Sequence, residues 1–113
     1  MTLRCLLVDD NHHFLAAARD LLEREGLEVV ATATTGAQAM TRAAELAPDV
    51  ALVDIKLGGE SGFDLARQLP VPVIMISTHA EEDYADLIAS SPAIGFLAKT
   101  ALSARAVQDR LRG

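Results

Sequence analysis

Five short apolar runs, each followed by a stretch with helical spacing, leave this chain few folds to choose from. The first run, Leu3 to Val8, gives way at Asp9-Asp10-Asn11 to a helix whose apolar face is Phe14, Leu15, Ala18, Leu21 and Leu22, stopped by Gly26. Either Asp10 or Asn11 supplies the short side-chain oxygen that caps its free amides. Leu27 to Ala33 reads as a second strand, and Ala37 to Glu45 as a helix that must end ahead of Pro48. Val50 to Val53 is a third strand, apolar on both faces and finished by Asp54. A glycine-rich loop, Leu57 to Gly62, then leads to a short helix through Leu65, Ala66 and Leu69. Pro70 and Pro72 break it ahead of strand four, Val73 to Ile76. Asp83 to Ala89 predicts a weaker helix, Gly95 to Ala98 a fifth strand, and Ser103 to Arg112 a closing helix.

Strands apolar on both faces belong to a parallel sheet covered by helices on each side, joined by right-handed crossovers. The expected fold is therefore α/β, a doubly wound five-stranded parallel sheet of (βα)5 type, flavodoxin-like in order 2-1-3-4-5. Its 113 residues suit one domain spanning 1–113, since a domain of that size buries about two thirds of its unfolded surface. With 4% aromatics and no Trp the core must be aliphatic, and Cys5 belongs to it.

Charge and cysteine content remove several classes of function. Sixteen Asp and Glu against ten Lys and Arg give a net charge of -6, the wrong sign for holding phosphate backbones, so no direct nucleic-acid binding is expected. One cysteine cannot form an internal disulfide, which removes the disulfide-built secreted class. No apolar run approaches the roughly 20 residues of a membrane span, and no signal-peptide pattern opens the chain. A cytoplasmic protein without membrane association is expected.

In a parallel sheet all C-terminal strand ends share one edge, and there the chemistry collects. Asp9 and Asp10 follow strand one, Asp54 follows strand three, Ser77 and Thr78 follow strand four, and Lys99 follows strand five. Taken singly, an Asp-Asp pair is a helix cap, a lone Asp a turn residue, and a lysine a solvated charge. Taken together on one edge, three carboxylates repel unless a hard divalent cation settles them. Magnesium suits a few carboxylate oxygens with retained waters, whereas calcium wants more protein oxygens than are visible. His12 and His13 diverge by about 100° on a helix, so they read as exposed positions rather than a joint metal site.

At this point the sequence resembles the receiver domains of bacterial two-component response regulators. The resemblance covers nearly the whole chain through four segments: Leu6-Leu7-Val8-Asp9-Asp10-Asn11; Val53-Asp54-Ile55-Lys56-Leu57 with Gly62; Val73-Ile74-Met75-Ile76-Ser77-Thr78; and Gly95-Phe96-Leu97-Ala98-Lys99. It implies that Asp54 takes a phosphoryl group from a phosphohistidine on a histidine kinase or phosphotransfer protein. It also implies Mg²⁺ on Asp9, Asp10, Asp54 and the backbone carbonyl of Lys56. Ser77 would hydrogen-bond one phosphoryl oxygen and Lys99 pair with another, while Ser77 and Phe96 act as switch residues that repack the helix 4, strand 5 and helix 5 face. Lys56 and His79, each two positions past a site residue, are expected to set the phosphoryl lifetime; His79 reads equally well as an ordinary helix-start residue.

Three positions depart from the family pattern. Gly58 and Thr100 stand where prolines are usual, so a more mobile loop after Asp54 is expected and a cis bond after Lys99 is doubtful; Phe96 replaces the frequent tyrosine. Rival readings are a haloacid-dehalogenase-type phosphatase, which wants Asp-x-Asp after strand one; a flavodoxin, which wants a Ser/Thr/Gly phosphate loop there; and a receiver-like docking module that is never phosphorylated. Asp9-Asp10-Asn11 disfavours the first two. No enzymatic activity beyond self-catalysed phosphotransfer and dephosphorylation is expected. A stand-alone receiver contacting a downstream protein is the expected organisation. The alternative is an output domain beyond Gly113, since Gly95 to Ala104 resembles receivers of regulators with LuxR-type outputs. A phosphorylation-dependent dimer is compatible with either.

Overall fold

The apolar runs form the sheet that their two-sided hydrophobicity demands. The computed structural model describes residues 2–112. Five parallel strands, β1 (Arg4–Val8), β2 (Glu28–Ala33), β3 (Val50–Asp54), β4 (Val73–Ser77) and β5 (Gly95–Ala98), lie in order 2-1-3-4-5. The register sets Val8 beside Ala33 and Val53, Asp54 beside Ile76, and Ser77 beside Ala98. Helices α1 (His12–Arg24) and α5 (Ala104–Arg112) cover one face, closing on Leu7, Leu52, Ile74 and Leu97. Helices α2 (Gly36–Leu46) and α3 (Gly62–Gln68) cover the other, closing on Leu6, Val8, Val53 and Met75. Cys5 is fully buried, and burial first, then the nearby Asp49 charge, pushes its thiol up to about 12, so it remains a protonated core residue.

Local chemistry ends the helices where capping rules place the ends. Asn11, rather than Asp10, caps α1 by accepting from Phe14 N–H at 3.1 Å. Thr35 and Ser61 cap α2 and α3 in the same way. The first turn of α5 is tied down from a distance, because Glu25 Oε1 accepts from Ala104 N–H at 2.7 Å.

Three segments differ from the sequence expectation. The glycine-rich stretch after Asp54 is not an open loop: Lys56–Leu57 and Glu60–Ser61 pair antiparallel around a two-residue turn. Gly58 takes φ +58°, the left-handed value such a turn requires, so the glycine expected to loosen this segment instead closes a hairpin. The helix expected over Asp83 to Ala89 divides into a 3-10 turn, Glu81–Tyr84, and a five-residue α4, Ala85–Ala89, without a fully buried side chain in either. Three consecutive acidic residues, Glu81, Glu82 and Asp83, interrupt the apolar period there. Another 3-10 turn, Lys99–Ala101, follows β5, and all peptide bonds among the described residues are trans. No helix among the described residues is long and apolar enough to cross a membrane.

Candidate functional site

The parallel sheet delivers the ends of β1, β3 and β5 to one edge, and the side chains there meet. Asp9 is fully buried just past β1. Its Oδ1 accepts from Asn11 N–H at 2.9 Å, which bends the chain into α1. Its Oδ2 lies 2.5 Å from Lys99 Nζ but out of line for a hydrogen bond, and no other partner among the described residues satisfies it. Asp54, at the end of β3, has a side chain only 13% exposed, with Oδ2 3.5 Å from the same Lys99 Nζ. Asp10 is exposed at the rim, and one oxygen from each of Asp9, Asp10 and Asp54 falls within 4.8 Å of the others.

These oxygens are hard donors, and the buried Oδ2 of Asp9 is an acceptor left without a hydrogen bond. Both observations fit a hard divalent cation. The electrostatics agree with that reading. Burial first, and the Asp9 charge second, raise the Asp54 carboxyl above its ordinary value; Lys99 and the Lys56 N–H oppose the shift. The site thus holds more negative charge than one lysine balances.

The remaining sequence-selected residues stand around this centre. Lys56 N–H donates to Asp54 Oδ1 at 3.4 Å, while its side chain is exposed on the hairpin. Ser77 is buried at the end of β4, but no hydrogen bond joins it to the carboxylates among the described residues; its Oγ accepts from His79 N–H at 3.0 Å. His79 is exposed, with its ring edge-on to Tyr84 at 6.0 Å. Phe96 is 5% exposed, so its ring already lies inward. His12 and His13 are exposed on α1.

Two residues named in the sequence make contacts with the site that their spacing does not show. Phe14 was assigned only to the core face of α1, yet its ring carries Lys99 Nζ 4.4 Å from its centroid. Gly62 closes the hairpin by donating to the Ile55 carbonyl at 2.7 Å, and the Asp54 carbonyl oxygen lies against its Cα. The spacing of a Phe in the first turn after an acidic pair was the available signal for the former. For the latter, nothing local showed how close the backbone of Asp54 would come.

Comparison with known proteins agrees with this arrangement. The family profile described as response regulator receiver domain matches residues 5–112. The chain is 32% identical to the response regulator GacA of Pseudomonas viridiflava, over 94% of this chain and 52% of that protein. It is 35% identical to a protein-glutamate methylesterase/protein-glutamine glutaminase of Halobacterium salinarum, over 69% of this chain and 24% of that protein. The chain thus spans about half of one of these relatives and a quarter of the other. Among solved structures, the signal receiver domain of the putative response regulator NarL from Mycobacterium tuberculosis superposes with a TM-score of 0.87 at 30% identity, covering 99% of this chain and 98% of that one.

Proposed function

We propose, since the chain belongs to the response regulator receiver domain family of two-component signalling, that it is a phosphorylation-dependent switch with Asp54 as its phosphoacceptor. The observation that carries this reading is Asp54 itself: a mostly buried carboxylate beside one lysine, sharing a cation-sized space with Asp9 and Asp10. An Asp54 oxygen attacks the phosphorus of a phosphohistidine on a histidine kinase or phosphotransfer protein. The P–N bond breaks, and the imidazole keeps the electron pair and leaves as a neutral base once protonated.

This chain's own groups do the positioning. Asp9, Asp10, Asp54 and the backbone carbonyl of Lys56 would hold Mg²⁺. When bound, the ion neutralises the carboxylates and the charge spreading over the phosphoryl oxygens. Lys99 pairs with one phosphoryl oxygen. Ser77 donates to another, because its oxygen is already held by His79 N–H and its proton is free to turn. No further enzymatic step is needed, and the switch acts in the cytoplasm.

The added charge of about -1.5 to -2 draws Ser77 toward the site. The segment behind Ser77, the 3-10 turn and α4, is held by no fully buried side chain and yields at low cost. Phe96 is already inside, so the moving parts are Ser77 and α4. The face of α4, β5 and α5 then meets a downstream protein or an output domain, with Leu87 of α4 and Ile94 just ahead of β5, 50% and 43% exposed, as its candidate apolar contacts.

The test is intact mass after incubation with Mg²⁺ and acetyl phosphate. A phosphoryl gain that requires Mg²⁺, is lost in base and disappears in Asp54→Asn is expected. No gain together with no Mg²⁺ binding would leave a docking module. Lys56 and His79 flank the water route to the acyl phosphate, so Lys56→Ala and His79→Ala are each expected to change its half-life severalfold. Unchanged half-lives in a phosphate-release assay would remove both from that role.

A further inference from the structure

Lys99 carries a four-carbon stem, and an ammonium on such a stem is poorly placed unless something besides its counter-ions holds it. Its side chain is nevertheless only 12% exposed. Two carboxylates lie beside it, at 2.5 Å for Asp9 and 3.5 Å for Asp54, and the closer one is out of line for a hydrogen bond. The third wall is aromatic: the Phe14 ring, with Nζ 4.4 Å from its centroid. A ring face carries negative quadrupole charge and attracts a cation without taking up one of its protons. It also shields that side of the ammonium from water.

Phe14 is itself fixed by the site. Asp9 Oδ1 holds Asn11 N–H, and Asn11 Oδ1 holds Phe14 N–H. The Phe14 ring meets Lys99 Nζ, which returns to Asp9 Oδ2. Four residues close a circuit linking the first turn of α1 to the end of β5. A half-buried leucine would fill the same space above the α1–α5 core but would offer no π face to the ammonium.

We propose that Phe14 is a positioning residue for phosphoryl transfer: its ring holds the Lys99 ammonium over the Asp9–Asp54 carboxylates, where the transferred phosphoryl group must be met. The role rests on the reading of Asp54 as phosphoacceptor. It extends that reading by placing part of the reaction's electrostatic preorganisation on a residue that carries no charge.

The test compares Phe14→Leu, which keeps apolar volume, with Phe14→Tyr, which keeps the ring face. Rates are measured with Mg²⁺ across a range of acetyl phosphate concentrations, beside thermal melts of both variants. Phe14→Leu is expected to lower the maximal rate about fivefold, equivalent to about 1 kcal/mol, with half-saturation little changed. Phe14→Tyr should stay within about twofold of the parent protein. In ¹⁵N-lysine-labelled protein, the Lys99 side-chain proton resonances should carry an upfield ring-current displacement that Phe14→Leu removes and Phe14→Tyr retains. Equal rates for Phe14→Leu and the parent, or equal losses in both variants, would overturn the proposal in favour of simple packing. If the parent protein takes up no phosphoryl group, the phosphoacceptor reading fails first and the positioning role of Phe14 falls with it. The ring-current measurement then still shows whether the contact exists.

Discussion

Gly62→Ala is expected to be the most damaging single-methyl change in this protein, lowering stability by about 3 kcal/mol and disabling Asp54 together with it. A Cβ at position 62 would stand 2.0 Å from the Asp54 carbonyl oxygen, 2.9 Å from its carbonyl carbon and 3.0 Å from Ile55 Cα. All three are backbone atoms, so no side chain can swing aside, and either β3 or the start of α3 must move. The Gly62 N–H bond to the Ile55 carbonyl at 2.7 Å would be lost in either case. Because Asp54 sits on the displaced backbone, its carboxylate moves relative to Asp9 and Lys99, and misplacement of that kind lowers transfer rates steeply. Urea unfolding gives the stability loss, and the acetyl phosphate reaction gives the rate. Gly59→Ala in the same hairpin is the control, since a Cβ there meets nothing within 4 Å and should change stability by less than about 0.5 kcal/mol. Equal stability of the two variants would show that the close approach at Gly62 is not maintained in solution.

Lys99→Met is the second large effect. In metal-free buffer it removes the cation beside one fully buried and one mostly buried carboxylate. Breaking such a partnership costs about 3 kcal/mol, because the charges left behind have neither water nor a counter-ion. The loss depends on pH in a direction that follows from Asp54. Its carboxyl is held above the ordinary range by burial and by Asp9, so folding favours its protonated form. The stability from that preference is present in full below the ordinary aspartate value of about 3.9 and is lost as pH rises through the raised folded value. Lys99 opposes the rise, so the Lys99→Met penalty should be greatest at neutral pH and shrink as pH falls through the Asp54 transition. Mg²⁺ should restore more stability to the variant than it adds to the parent protein, since it replaces the missing positive charge. Thermal melts with Mg²⁺ and with EDTA, from neutral pH downward, check both statements. A penalty that does not vary with pH would mean that the lysine acts through packing of its stem.

How much of this was legible beforehand differs from element to element. Val50 to Val53 could be read as a central strand because its apolar residues face both ways, and α1 because Leu15, Ala18 and Leu22 recur at helical spacing. Parallel pairing and crossover handedness limited the topologies, and 2-1-3-4-5 is the economical one among them. The gathering of Asp9, Asp54 and Lys99 followed from their positions at strand ends. The hairpin after Asp54 was not legible: its apolar content is too small to show a period, and Gly58 signals a turn without saying what it joins. The divided helix near Tyr84 was misread for a related reason, since propensity alone cannot decide a segment without a buried face.

The two acidic residues after β1 show where local information ends. Asp9 and Asp10 are adjacent and chemically identical, yet one is fully buried and the other exposed. That division is set by the register of β1 between β2 and β3 and by the turn that Asn11 makes on Asp9 Oδ1. By itself, the sequence determined the five long strands, the helices α1, α2, α3 and α5, and the edge on which the charges meet, because continuous apolar runs and the 3.6-residue helical period are properties of neighbours along the chain. Only the tertiary structure decided that Phe14 lies over Lys99, that Ser77 is held by His79 N–H, that Glu25 caps α5 and that Gly62 sits against the Asp54 backbone. Those contacts depend on how far one packed element slides and turns against another. Distances of that kind are set by the volumes of every side chain in between, and no short stretch of sequence contains them.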